Sequence, residues 1–182
     1  MFFSFSRIII GGQNIYITKD AGKTWQTINL HLGLNGSLYA ISFAPGGKVG
    51  WAIGQEGKRI QNGGWFQLKT QFVIKTADAG KTWTREKLPV KKLGFLTDVW
   101  AISDQQAWLS SFYGYAWTNA KAVPPRLFRT TNGGKTWKDK TERLISIRKL
   151  FFLNSSEGWA VGGQSGSGLE PSMAVLIYNG KK

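Results

Sequence analysis

The 182-residue chain contains no cysteine and only one histidine, His31. The absence of cysteine excludes a disulfide scaffold, a cysteine-ligated zinc site and a thiol nucleophile. A single histidine leaves little for histidine-based catalysis or metal binding. No stretch approaches the roughly 20 apolar residues of a membrane-spanning helix. No signal peptide is predicted, because the apolar N-terminus lacks leading positive charges and Arg7 interrupts it.

Acidic residues are also scarce. Ten Asp and Glu stand against 24 Lys and Arg, which gives a net charge of +14 and a pI near 10.2. Residues 75–149 carry +9 of this charge, from fifteen basic and six acidic side chains. Such a field attracts anionic partners. The content of 42% apolar and 14% aromatic residues argues against a disordered chain.

Two motifs recur along the chain with the same period. Residues 18–25, 76–83 and 130–137 align without gaps, 58 and 54 residues apart. A second motif places Trp51, Trp108 and Trp159 in similar short apolar segments, 57 and 51 residues apart. A repeat of about 50 residues is the unit expected of a repeat architecture. The positions that define the first motif are Thr18, Asp20, Gly22, Thr24, Trp25, Thr76, Asp78, Gly80, Thr82, Trp83, Thr130, Asn132, Gly134, Thr136 and Trp137.

Each period contains four short β-rich segments separated by turn residues, and no segment has an apolar period that favours a helix. The predicted strands are 38–43, 49–54, 72–76 and 82–88 in one period and 97–103, 107–111, 126–130 and 136–141 in the next. The sequence therefore predicts an all-β fold, a β-propeller of four-stranded antiparallel blades. About three and a half blades are present in a single domain: a partial blade at 8–30, blades at 36–90 and 93–143, and a partial blade at 146–180.

Three and a half blades are fewer than the four to eight of a typical propeller. We therefore expect closure with missing blades of a longer chain or with a second chain. The sequence favours the first of these, because the chain stops where another turn of the first motif is due.

The first motif is predicted to be a structural turn. Asp or Asn bonds to nearby backbone N–H groups, Gly supplies positive φ, and Trp provides an apolar plate between sheets. Calcium binding is the alternative for a recurring carboxylate, but each turn offers one acid and the third has Asn132. We expect no metal and no cofactor.

These turns resemble the Asp-box, or bacterial neuraminidase repeat, family. Their pairing with a Gly-Trp-Ala-x-Gly strand is most similar to the photosystem II stability/assembly factor family, over nearly all of residues 11–180. The resemblance implies a seven-bladed propeller, usually exported or lumenal, that acts as a non-catalytic scaffold holding a membrane-complex subunit during assembly. Asn132 and the segment around Trp108 depart from the pattern.

A partner-binding surface is predicted at the end of the blades opposite these turns. The second-to-third strand connections, 55–71, 111–125 and 163–172, are long there, and long loops are often functional. They mix basic and aromatic residues, as protein interfaces do. The predicted residues are Lys58, Arg59, Lys69, Lys91, Lys92, Tyr113, Tyr115, Trp117, Arg126, Arg143, Arg148 and Lys149.

Three function classes remain open. The first is a non-catalytic scaffold that binds a protein partner, acidic or membrane-associated. The second is a glycoside hydrolase, but the acids outside the turns form no recognisable pair. Asp98 and Asp104 flank a predicted strand, and Asp104 is interpreted as a turn residue. The third is a polyanion or nucleic-acid binder, which the charge allows although no nucleic-acid motif is present. The sequence favours the scaffold, which is not an enzyme.

Overall fold

The computed structural model describes residues 7–11, 13–31, 36–59, 66–88, 94–112, 114–116, 120–141, 146–164 and 172–178. These residues form sixteen strands and no helix, and hence no segment that could cross a membrane as a helix. The strands are β1 (Arg7–Gly11), β2 (Asn14–Thr18), β3 (Gln26–Asn29), β4 (Ser37–Phe43), β5 (Gly50–Arg59), β6 (Phe66–Thr76), β7 (Thr84–Glu86), β8 (Leu96–Ala101), β9 (Ala107–Ser111), β10 (Gly114–Ala116), β11 (Ala120–Val123), β12 (Leu127–Thr130), β13 (Lys138–Asp139), β14 (Ser146–Phe152), β15 (Gly158–Gln164) and β16 (Ser172–Tyr178).

The strands form four antiparallel sheets in chain order, in which neighbouring strands follow one another along the chain except that β9 pairs with β12. Sheet 1 has the order β1-β2-β3, sheet 2 β4-β5-β6-β7, sheet 3 β8-β9-β12-β13 and sheet 4 β14-β15-β16, while β10 and β11 form a separate hairpin. Such meanders arise because short turns connect antiparallel neighbours. The all-β prediction is confirmed, and the arrangement is that of propeller blades.

The connections predicted as long loops are partly strand. In sheet 2, β5 continues to Arg59 and β6 begins at Phe66, so residues 55–59 pair with residues of the 66–71 segment. In sheet 3, the connection 111–125 contains the β10–β11 hairpin. The prediction of loops there was wrong, because cross-strand pairing supports polar residues whose own strand preference is weak. Several outer strands are shorter than predicted, β13 being reduced to Lys138–Asp139.

The apolar side chains that the structure describes alternate between the faces of the sheets and build three cores between neighbouring sheets. Sheets 2 and 3 enclose the largest core, which includes Trp51, Ile53 and Phe128. Ile15 of sheet 1 packs with Ala52 of sheet 2, and Trp108 of sheet 3 packs against sheet 4. Each inner sheet is thus buried on both sides, as propeller blades require.

The first strands of sheets 2, 3 and 4 lie side by side and are joined by hydrogen bonds between side chains and backbone. The N–H of Ala101 donates to Ser42 Oγ at 3.0 Å. Thr97 Oγ1 donates to the Ile147 carbonyl at 2.6 Å, and the N–H of Leu150 donates to Asp98 Oδ2 at 2.8 Å. The β4, β8 and β14 strands are therefore held together directly and not only by apolar packing.

Candidate partner-binding surface and Asp-box turns

The turns 18–25 and 76–83, here called Asp-box turns together with 130–137, share one hydrogen-bond pattern. In the second, Thr76 Oγ1 donates to Asp78 Oδ1 at 2.8 Å and accepts from the Gly80 N–H at 2.9 Å. The Asp78 carboxylate also accepts from the N–H and the hydroxyl of Thr82, at 2.9 and 2.6 Å. These contacts reach at most four residues along the chain, so the turn closes on itself.

The third Asp-box turn keeps this pattern with an amide in place of the carboxylate. Asn132 Oδ1 accepts from Thr130 Oγ1 at 3.1 Å and from the Thr136 N–H at 2.9 Å. Its Nδ2 donates to Thr136 Oγ1 at 2.8 Å, where an aspartate would accept. Because a hydroxyl can donate or accept, threonine accommodates either residue.

Hydrogen bonding stabilises the ionised form of the turn carboxylates. Donation by the hydroxyl and N–H of Thr24 lowers the pKa of Asp20 from 3.8 to about 2. Thr82 lowers the pKa of Asp78 to about 2 in the same way. A carboxylate held by several donors in this way is a poor proton donor or acceptor near neutral pH. Both carboxylates are engaged in holding the turn.

The Asp-box turns of sheets 2 and 3 also contact the preceding sheet. Trp83 packs in the core between sheets 1 and 2, and Trp137 in the core between sheets 2 and 3. Lys75 of sheet 2 donates to the carbonyl of Gly133 at 2.6 Å. The turns therefore connect neighbouring sheets as well as neighbouring strands.

The opposite end of the sheets, here called the loop end, carries the predicted partner-binding residues. Lys58 and Arg59 lie in the extension of β5, Lys69 in β6 and Tyr115 in β10, and the structure gives their backbone positions only. A further set of predicted residues lies outside the described residues: Lys91, Lys92, Tyr113, Trp117 and Arg143.

Three predicted cations at the loop end are described with their side chains, and each contacts another group of the chain. Arg126 pairs with Asp139, Nη1 to Oδ2, at 2.8 Å. The guanidinium of Arg148 stacks on the ring of Phe112, 5.1 Å from its centroid. Lys149 Nζ lies 3.6 Å from Asp98 Oδ1, with 69% of its side chain exposed. The loop end of sheets 3 and 4 therefore presents three cations and an aromatic ring.

Asp98 falls in the strand predicted at 97–103, and the structure shows a role for it that was not predicted. It lies inside β8 and is buried against the first strand of sheet 4, where it accepts from Leu150. Burial raises the pKa of Asp98, although the Leu150 N–H and Lys149 act in the opposite direction. The sequence signal for this role was a single acidic residue in an otherwise apolar strand. Its hydrogen-bond partner belongs to another repeat and could not be identified from that strand.

Sequence reasoning also missed cations that lie on aromatic rings within a sheet. Lys75 lies over the ring of Trp51 at 5.3 Å, and Arg129 occupies the equivalent place over Trp108 at 5.4 Å. Arg85 lies over Phe72 at 4.6 Å and pairs with Glu56. The signal was present, because β6 and β12 carry a basic residue directly before the first Asp-box threonine. These contacts use basic residues for packing.

No group of three or more acidic or histidine side chains among the described residues is arranged to hold a metal ion. Of the acids at the loop end, Asp139 is held by Thr141 and Arg126, which lower its pKa against the opposing effect of its partial burial. Asp98 is bonded to backbone, and Glu56 is paired with Arg85. Each of these three carboxylates contacts a partner of its own.

The family model described as BNR/Asp-box repeat matches residues 16–27. The chloroplastic photosystem II stability/assembly factor HCF136 of Arabidopsis thaliana is 25% identical over 196 aligned positions, which cover 81% of this chain and 46% of that protein. Among solved structures, YCF48 bound to D1 peptide superposes with a TM-score of 0.60 and 21% identity over 96% of this chain and 50% of that one. YCF48 from Cyanidioschyzon merolae gives 0.58 and 21% over 90% and 51%.

These similarities support the resemblance to the photosystem II stability/assembly factors that the pairing of the Asp-box turns with the Gly-Trp-Ala-x-Gly strand indicates. The structural likeness confirms the β-propeller fold. The chain spans about half the length of each of these relatives. The Asp-box turns are a shared element of the fold, whereas a function has to be argued from the surface that differs between repeats.

Proposed function

We propose that the chain is a non-catalytic β-propeller scaffold of the assembly-factor type, and that it binds a protein partner at the loop end of sheets 3 and 4. The observation that carries the proposal is the grouping of Arg126, Arg148 and Lys149 with Phe112 at that end. Arginine and aromatic side chains are the residues that most often anchor protein interfaces. The basic charge would steer an acidic segment towards this end.

The relatives point in the same direction. HCF136 is named a stability/assembly factor, and one YCF48 structure is of the protein bound to D1 peptide. For the present chain we infer a peptide segment of a membrane-complex subunit as the partner. The carboxylates that the structure describes at the loop end each have their own partner, which favours binding over glycoside hydrolysis, because a canonical glycosidase needs two acids facing one substrate.

The test compares two triple variants that each remove three positive charges. The loop-end variant is Arg126→Gln/Arg148→Gln/Lys149→Gln, and the matched control is Lys23→Gln/Lys81→Gln/Lys135→Gln in the Asp-box turns. The probe is a fluorescent D1 peptide, and the readout is its anisotropy. We expect the loop-end variant to weaken binding by about tenfold or more, and the control to change it less than about twofold.

Three outcomes would overturn the proposal in different ways. Equal loss in both variants would indicate attraction by net charge without a defined surface. Unchanged affinity of the loop-end variant would place binding elsewhere. Binding of a polyphosphate chain with higher affinity than the peptide, lost in both variants as salt rises, would favour the polyanion binder instead.

A further inference from the structure

The first strands of sheets 2, 3 and 4 each contain a β-bulge at the same place, close to the loop end. In β14 the register shifts between Ile147 and Lys149, so Arg148 is an extra residue without a counterpart in β15. The corresponding extra residues of β4 and β8 are Tyr39 and Thr97. A β-bulge redirects side chains and is frequent beside functional sites. The three bulges therefore determine which side chains of the first strands the loop end presents.

The bulge of β14 makes two consecutive cations accessible. Arg148 and Lys149 are both exposed, whereas Ile147 and Leu150 on either side of them are buried. In a regular strand the two cations would point to opposite faces of the sheet. Tyr39, the extra residue of β4, is also exposed, although sheet 3 packs on sheet 2. An extra residue at this place is therefore accessible even where another sheet follows.

Two hydrogen bonds from sheet 3 hold the bulge of β14, one on each side of the exposed pair. Thr97 Oγ1 donates to the carbonyl of Ile147 at 2.6 Å. Asp98 Oδ2 accepts from the N–H of Leu150 at 2.8 Å. These backbone groups belong to the residues directly before and after 148–149. The two hydrogen bonds, here called the bulge clamp, therefore fix the backbone from which both cations extend.

The bulge clamp uses polar residues where sheet 2 has apolar ones. Asp98 and Ser110 are buried, and Ser110 Oγ lies 2.9 Å from Thr97 Oγ1. By register, Ala40 and Ile53 of sheet 2 occupy the places of Asp98 and Ser110. Burying polar groups is unfavourable unless they are hydrogen-bonded, and apolar residues serve these places in sheet 2. A polar departure from the repeat is expected where the residues have a specific role.

Of the three loop-end cations described with their side chains, Arg148 is best placed to bind a carboxylate. Arg126 and Lys149 each lie beside a carboxylate of the chain, which offsets their charge. The guanidinium of Arg148 instead stacks on the ring of Phe112, 5.1 Å from its centroid. A stacked guanidinium keeps the N–H donors of its edge available for two parallel hydrogen bonds to a carboxylate.

We propose that Thr97 and Asp98 are positioning residues for partner binding, because the bulge clamp holds Arg148 on the Phe112 ring in the orientation that receives a carboxylate of the partner segment. The inference rests on the proposed function and adds the residues that set the geometry of its site. A side chain that is already ordered loses less conformational entropy when the partner binds. The bulge clamp therefore raises the affinity without contacting the partner.

The test removes each hydrogen bond of the bulge clamp beside a matched control. Thr97→Val removes the donor at nearly constant volume, and Thr97→Ser retains a hydroxyl. Asp98→Ala removes the acceptor, and Asp98→Asn retains an oxygen with the same change of charge. The control Ser42→Ala removes the bond between Ser42 Oγ and the Ala101 N–H, which joins the first strands of sheets 2 and 3 at a place without a bulge.

The first readout follows Arg148 without a partner. An aromatic ring shifts the NMR signals of groups that lie over its face, and Phe112→Leu supplies the unstacked reference. We expect Thr97→Val and Asp98→Ala to move the Arg148 side-chain signals towards that reference. Thr97→Ser, Asp98→Asn and Ser42→Ala should leave these signals in place.

The second readout is the anisotropy of the fluorescent D1 peptide. Thr97→Val should weaken its binding about threefold to tenfold relative to the wild type, and Asp98→Ala should do so relative to Asp98→Asn. Thr97→Ser and Ser42→Ala should change the affinity less than about twofold. In an Arg148→Gln background, Thr97→Val should have no further effect, because a positioning residue acts through the residue that it positions.

The outcomes separate this inference from the proposed function. A wild type that does not bind the peptide would overturn both. When the wild type binds and the loop-end triple variant does not, this inference alone fails under any of four results. They are an affinity unchanged by Arg148→Gln, Arg148 signals or an affinity unchanged by Thr97→Val, a loss in Ser42→Ala equal to that in Thr97→Val, and a Thr97→Val loss that persists in the Arg148→Gln background.

Discussion

The two ends of the sheets differ in how far along the chain their contacts reach. At the Asp-box end, the hydrogen bonds of each turn reach at most four residues along the chain, and the same pattern occurs three times. At the loop end, Arg148 reaches Phe112 of another sheet and Asp98 reaches Leu150, and neither contact has a counterpart in sheet 2, where Ala40 takes the place of Asp98. A contact that recurs in each repeat is one that the fold requires, whereas a contact without counterparts belongs to a surface that can be specific to one protein.

The largest effect is expected from two glycine substitutions. They test whether the stability of the Asp-box end comes from the turn itself or from its contact with the neighbouring sheet. Gly22 and Gly80 both have positive φ, +94° and +85°. A Cβ added to Gly80 would lie 2.9 Å from Ile17 Cδ1, whereas one added to Gly22 would meet only Trp25 at 3.7 Å. Gly22→Ala should cost about 1–2 kcal/mol for the backbone alone. Gly80→Ala should cost about 3 kcal/mol, because a packing clash is added.

Urea unfolding of both variants measures the difference. Equal losses of unfolding free energy would mean that sheet 1 accommodates the added methyl group without loss of stability. The turn alone would then determine the stability of this end. The contact between the Gly80 turn and sheet 1 would then add nothing to the stability of the Asp-box end.

The repeated parts were predictable from sequence because their chemistry is local. Asp78, Gly80 and Thr82 stand at fixed offsets, and each acts within its own turn. The β-propeller fold follows from three such turns in phase with Trp51, Trp108 and Trp159. The extension of β5 to Arg59 was missed because polar residues there gain their strand structure from pairing with β6.

The loop end was less predictable, since its contacts join residues from different repeats. Arg126 was predicted as a partner-binding cation, and its pairing with Asp139 depends on the register of β12 with β13. The role of Asp98 depends on where β14 lies, which no pattern within β8 reveals. The partner-binding surface as a whole remains a prediction.

A smaller effect concerns the response of the Asp-box end to acid. The pKa of Asp20 and Asp78 is about 2 in the folded chain against an ordinary 3.8. A carboxyl with a lowered folded pKa contributes stability that is complete above 3.8 and is lost as the pH falls towards 2. The double variant Asp20→Asn/Asp78→Asn, which copies the natural Asn132 into the other two turns, should lose less stability between pH 4 and pH 2 than the wild type.

The urea midpoint at several pH values between 2 and 5 measures this response. Asn132→Asp provides the matched reverse change, and it should steepen the loss of stability below pH 4. If all three proteins respond to acid in parallel, the turn carboxylates do not set the acid sensitivity of the chain.

The smallest effect has the opposite sign and comes from the loop end. Burial raises the pKa of Asp98 above 3.8, so ionisation costs stability as the pH rises from 3.8 through the folded pKa.

Asp98→Asn keeps an oxygen for the Leu150 N–H but cannot ionise, and its urea midpoint should therefore change less between pH 3 and pH 7 than that of the wild type. The change of the urea midpoint with pH is the measure, and not the stability at one pH, because the amide of Asp98→Asn faces Lys149 at every pH. Lys149→Gln should steepen the wild-type slope, since it removes the cation that favours the carboxylate. An Asp98→Asn slope equal to that of the wild type would mean that Lys149 already offsets the burial, and the two ends would then not differ in their response to pH.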